Sequence, residues 1–85
     1  MSISIRLVYI GLYKKKTGKK EEILVVDEDI KAANAFVMTY LNEVYGLEPP
    51  FNLMVNGTHM AGAVKKGIRL KDEDELKLIP FLSGG

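Results

Sequence analysis

Cysteine is absent from the 85 residues of this chain. That excludes disulfides, thiolate chemistry and iron–sulfur ligation, and it fits a reducing cytoplasm. Histidine occurs once, as His59, with no second histidine or serine arrangement for a zinc or catalytic site. An exposed loop position is expected for it. No apolar run approaches the ~20 residues of a membrane-spanning helix. Met1-Ser2-Ile3-Ser4-Ile5-Arg6 also lacks the charged, then apolar, then small pattern of a secretory signal. Excess charge is missing too: a net charge of +1 gives no global pull toward nucleic acid or acidic membranes. The acidic sets Asp27-Glu28-Asp29 and Asp72-Glu73-Asp74-Glu75 lack the glycine and glutamate spacing of a calcium loop. A phosphate-binding loop needs glycine directly before Lys-Thr or Lys-Ser, and residue 16, which would have to supply it in Gly11–Lys20, is lysine. The expectation is a cytoplasmic protein that binds no metal and no cofactor, and that engages neither nucleic acid nor membrane.

What the chain does have is enough apolar content, 47%, for one folded domain with a modest core. Residues 2–10 alternate in polarity as a strand does. The polar stretch Lys14–Lys20 follows, then a second β-rich run at 21–27. Together they predict an antiparallel hairpin with a solvated basic tip. Asp27-Glu28-Asp29 supplies helix-capping acids. Ile30, Ala33, Val37, Tyr40, Leu41 and Val44 form one apolar stripe, Gly46 is a stop, and Pro49-Pro50 forbids continuation. These signals predict a helix over 29–45. A third strand over 51–55 closes on Asn56-Gly57, residues 58–69 read as irregular, and a turn at 72–74 leads into a last strand over 75–81. The order predicts an α+β fold, a four- to five-stranded mixed sheet clasping one helix, with the first and last strands side by side in its centre. That is the β-grasp arrangement.

The alternation also assigns faces. With Ile3, Ile5, Leu7, Ile23, Val25, Leu76 and Leu78 toward the helix, Val8, Ile10, Leu24, Val26, Ile79 and Phe81 point away. Six large apolar groups on an open face exceed the scattered exposure of a monomer, so a partner-docking surface is expected there, with Leu82 and Phe81 anchoring the C-terminal arm.

The terminal pair Gly84-Gly85 serves no fold, because glycine offers nothing to pack and costs backbone order. A terminal pair supplies a thin arm ending in an unhindered carboxylate. The expected division is a domain at 1–82 and a flexible tail at 83–85, with Gly85 carrying the chemistry and Gly84 and Ser83 keeping the arm narrow.

Three segments carry a resemblance: Val55-Asn56-Gly57, Leu70-Lys71-Asp72-Glu73-Asp74-Glu75-Leu76, and Ile79-Pro80-Phe81-Leu82-Ser83-Gly84-Gly85. They resemble the MoaD/ThiS family of ubiquitin-like sulfur carriers, and the Ile-Pro-x-x-Ser-Gly-Gly ending is most like its molybdopterin synthase small-subunit branch. Glu73 stands where that family commonly has glycine, Phe81 where a second proline is common, and residues 58–69 carry no family signature. The resemblance implies a β-grasp fold and a chain that is not itself an enzyme but a sulfur-donor subunit. It implies ATP used by an adenylating partner related to ubiquitin-activating enzymes, a sulfur donor protein, and the molybdopterin synthase large subunit as receiver. A ubiquitin-like modifier joined through Gly85 to target lysines, a thiamine-type or transfer-RNA-thiolation carrier, and a non-covalent module with an idle tail are the alternatives.

Overall fold

The computed structural model of the chain describes residues 1–81. Ser2–Tyr9 forms β1 and Glu21–Asp27 forms β2, joined through the short helix α1, Leu12–Thr17. The long helix α2 spans Ile30–Tyr45. After it come β3 at Asn52–Val55, β4 at Thr58–His59, α3 at Met60–Lys66 and β5 at Glu75–Ile79. The sheet order is β2-β1-β5-β3-β4. Only the β1–β5 pair is parallel; the other three are antiparallel. The first and last strands therefore lie side by side, as the element order predicts, and α2 packs across one face.

Local chemistry sets the elements. The Asp29 carboxylate accepts from the Ala32 amide at 3.0 Å and caps α2, satisfying one of the helix's orphan donors. Gly46, at φ 67, ends the helix, its amide donating to Asn42 and Leu41 carbonyls. Asn56 and Gly57 both take positive φ, 47 and 86, the pair of left-handed residues a tight hairpin needs. Ile30, Ala33, Val37 and Leu41 of α2 bury against Ile5, Leu7, Tyr9, Leu53, Val55, Leu76 and Leu78 of the sheet.

Four expectations are corrected. The basic tip is not a bare loop. Lysine has good helix propensity, and Leu12–Thr17 winds into α1, stopped by Gly18 at φ 74. Tyr13 packs against the core, which fixes the helix in place. Residues 58–69 are not irregular: β4 and α3 lie there, with Met60 and Ala63 buried. Burial of those two overrides the weak propensity of Gly62 inside a helix. Val44 leaves the α2 stripe and is exposed; Leu47, folded back beyond the Gly46 stop with its amide on the Leu41 carbonyl, is buried in the core instead.

The fourth correction concerns β2, whose faces are reversed. Ile5 pairs with Leu24 and Ile3 with Val26, and directly opposed residues share a face. Leu24 and Val26 are therefore core residues, 8% and 4% exposed, while Ile23 and Val25 are 60% and 61% exposed on the outer face. Leu24 and Val26 do not belong to a docking surface. Ile-Leu-Val-Val is apolar in both phases, so hydrophobicity alone cannot choose between them. The inner phase carries the acid Glu22, and it is accepted because Tyr9, Tyr40 and Tyr45 all donate hydroxyl hydrogen bonds to it.

Candidate functional site

The C-terminal strand is held from both sides. β5 pairs with β1 from Glu75 to Leu78 and with β3 from Leu76 to Ile79, and Leu76 and Leu78 are fully buried. Where β5 ends, the Ile10 amide donates to the Leu78 carbonyl at 3.1 Å. Pro80 then lies against Gly11: a Cβ built on Gly11 would stand 3.2 Å from Pro80 Cγ. Gly11 also takes φ 58, where L side chains are strained, so both space and backbone favour glycine there. Phe81 follows, 56% exposed. The segment that leads to the C-terminus thus starts from a rigid base beside the sheet's centre. Leu82, Ser83, Gly84 and Gly85, the arm and its carboxylate, lie outside the described residues.

The outer sheet face brings together part of the expected docking set. Val8 and Ile79 sit on it, half-buried, with Ile10 just past the end of β1. Ile23 and Val25 join them in place of Leu24 and Val26. The face is not uniformly apolar. Arg6 reaches Glu21 at 3.7 Å and Glu75 at 3.1 Å, and Lys77 reaches Glu75 at 3.5 Å. This row of alternating charge crosses β2, β1 and β5 between the apolar groups. Side-chain parity in the sequence was sufficient to place Arg6 and Lys77 on this face, but not to show that the strands align them.

On the opposite face, a polar cluster escaped sequence reasoning. The Glu22 carboxylate accepts from Tyr40 and Tyr9 at 2.5 Å, from Tyr45 at 2.7 Å and from Lys19 at 3.3 Å. Burial alone pushes the Glu22 carboxyl up, but the bonds from Tyr40, Tyr9, Tyr45 and Lys19 outweigh it and hold it at about 2. Burial first, then the bond to Glu22, raises the Tyr9 phenol; the Tyr40 phenol is raised chiefly by its Glu22 bond. Lys19 is raised by Tyr45 and Glu22. The five groups come from β2, β1, the C-terminal half of α2 and the α1–β2 connection, so the cluster ties the helix to the sheet edge. The sequence carried no signal of it, because the phase read for β2 turned Glu22 outward and only the register with β1 turns it inward.

His59 is exposed on β4. No helix among the described residues is long and apolar enough to cross a membrane, and no group of three metal-binding side chains gathers among them.

A five-stranded mixed sheet clasping one long helix, with its last strand beside its first, defines a ubiquitin-like β-grasp protein. The sequence matches the ThiS family over residues 7–85, and the chain belongs to that family. No curated protein sequence matches it. Several solved structures share the fold at low identity. The HVO 2177 protein of Haloferax volcanii superposes with a TM-score of 0.72 at 20% identity, over 99% of this chain and 88% of its own. The small archaeal modifier protein 1 of Methanosarcina acetivorans gives 0.68 at 19%, over 100% of this chain and 99% of its own. A protein of Pyrococcus furiosus assigned as molybdopterin converting factor subunit 1 gives 0.66 at 17%, over 94% and 99%.

Proposed function

We propose that the chain is a sulfur carrier whose working group is the Gly85 carboxylate, serving molybdopterin formation. One observation carries this reading: the ThiS match runs through residue 85 and so includes the Ser83-Gly84-Gly85 arm along with the fold that bears it. The fixed base supports it, since β5, the Ile10 amide and Gly11 hold the chain in place as far as Pro80.

A C-terminal carboxylate, with a pKa near ~3.5, is ionised at neutral pH and resists nucleophiles. It gains reactivity by attacking the α-phosphate of ATP, with pyrophosphate leaving, on an adenylating enzyme related to ubiquitin-activating enzymes. The outer sulfur of a persulfide on a sulfur donor protein then attacks the acyl adenylate, with AMP leaving. A thiol reductant splits the resulting acyl disulfide, so that the chain ends in a thiocarboxylate and the thiols end as a disulfide. Delivery follows on a receiving enzyme, the molybdopterin synthase large subunit, where Gly84 and Ser83 let the arm enter a narrow site. The chain is consumed and recharged, a sulfur-donor subunit rather than a catalyst, and works in the cytoplasm.

The likeness to the small archaeal modifier protein 1 favours a second reading, in which the same adenylated Gly85 is joined to target lysines. Reconstitution tests the shared step. Purified chain, ATP and the cognate adenylating enzyme should release pyrophosphate, and deletion of Gly85 should abolish release. Undiminished release from the truncated chain would sink both readings. Higher-mass, lysine-linked conjugates in cells favour the modifier; transfer of sulfur to a pterin favours the carrier.

A further inference from the structure

The lysines of α1 have no role in the account so far. Lys14, Lys15, Lys16 and Lys20 are exposed and form no ion pair among the described residues, whereas Lys19 is engaged by Glu22. They are not on a loose loop. α1 is pinned by Tyr13 packed on the core, and it is closed on itself by Thr17 Oγ1 donating to the Tyr13 carbonyl at 2.7 Å and by the Gly18 stop. Its first residue follows Gly11, against which Pro80 lies. The lysine-bearing helix therefore begins beside the last described residues before the C-terminus. Two exposed apolar side chains flank that contact: Leu12, 46% exposed, follows Gly11, and Phe81, 56% exposed, follows Pro80. Nearby acids are committed elsewhere, Glu21 to Arg6 and Glu22 to the tyrosines; Glu48 shares a surface hollow with Lys16 without pairing to it. Exposed apolar groups beside unpaired charge have the composition of a docking patch.

We propose that Leu12, Phe81 and the α1 lysines form the patch by which the chain docks, arm first, on an enzyme whose carboxylate-receiving site is rimmed by acidic residues. The proposal rests on the carrier reading above. It assigns the lysines a steering role: like-signed charge beside the reactive end raises productive encounters with an acidic mouth by ~10- to 1,000-fold at low salt.

The test is the salt dependence of pyrophosphate release by the cognate adenylating enzyme. The combined variant Lys14→Glu, Lys15→Glu, Lys16→Glu should lower kcat/KM roughly 10- to 100-fold at low salt, with kcat at saturation unchanged. The gap should close toward ~1 M salt, where the screening length shrinks to ~3 Å. Lys65→Glu with Lys66→Glu, the same kind of reversal on α3, should change kcat/KM less than ~3-fold. Circular dichroism checks that both variants fold. Equal kcat/KM for the α1 variant and the wild type, or a loss in kcat rather than KM, overturns the proposal while leaving the carrier reading standing. Wild-type chain that releases no pyrophosphate takes both down. Retention of bulk transfer RNA that the α1 variant loses, with unaltered enzyme kinetics, would assign the patch to nucleic acid and overturn it as well.

Discussion

Replacing Glu22 with glutamine removes one charge from beneath three tyrosine hydroxyls and Lys19, and keeps nearly the same shape. A carboxyl held at about 2 instead of 4.5 favours the folded state at neutral pH by about 3 kcal/mol, since each tenfold change in proton affinity is ~1.4 kcal/mol. Glu22 is only 13% exposed, so solvent screening takes little from that figure. The amide still accepts through its oxygen but turns two donors toward hydroxyls that are themselves donating, so Glu22→Gln should destabilise by about 2–3 kcal/mol. The pH dependence separates this from simple repacking. Because the folded-state pKa lies below the unfolded one, the unfolded chain binds the proton first. The stability is complete above about pH 4.5 and drains away as the pH falls toward 2. Urea unfolding of both proteins at pH ~7 and pH ~3 reads the difference: it should be full at the first and at least halved at the second. An equal gap at both pH values, or none at pH ~7, would refute the charge-assisted account of the cluster.

The reversed face of β2 predicts that Leu24→Ala costs about 2–4 kcal/mol in chemical denaturation, whereas Ile23→Ala stays within ~1 kcal/mol; the opposite order would restore the other phase. Glu73 occupies φ 71 with its amide on the Ser4 carbonyl, so Glu73→Gly should stabilise by about 0.5–1 kcal/mol despite glycine's freedom when unfolded. A loss of stability would mean the Glu73 side chain contributes more than the strain. Phe81→Asp, at an exposed position, should leave the unfolding midpoint within a few degrees and weaken binding to the proposed large-subunit receiver at least tenfold; unchanged affinity in a titration would remove Phe81 from the proposed interface.

Those corrections show where the sequence was readable. The α2 boundaries at Asp29 and Gly46 and the Asn56-Gly57 turn were legible because each rests on local chemistry: a cap, a stop, a pair of left-handed residues. The turn at Glu73 was located, and the structure adds that glutamate there takes the left-handed backbone where the family commonly has glycine. The β2 phase was hidden because Ile23 to Val26 are all apolar, and only tyrosines distant in sequence decide which pair turns inward. α3 was hidden because its stability comes from burying Met60 and Ala63, a tertiary gain that Gly62 masks. Of the candidate site, Val8 and Ile79 were placed on the outer face by alternation alone. Their neighbours Ile23 and Val25, and the charge row from Glu21 to Lys77, depend on inter-strand register, which the one-dimensional pattern does not carry.

The central claim is that Gly85 carries sulfur. Intact mass spectrometry of the protein isolated from its native cells, fragmented at the C-terminus, addresses it directly. The account predicts a fraction of chains heavier by the difference between sulfur and oxygen, with the gain confined to Gly85 and lost on alkylation-and-hydrolysis treatment that converts a thiocarboxylate back to a carboxylate. Chains bearing only an unmodified carboxylate, in cells actively making the sulfur-containing product, would contradict it.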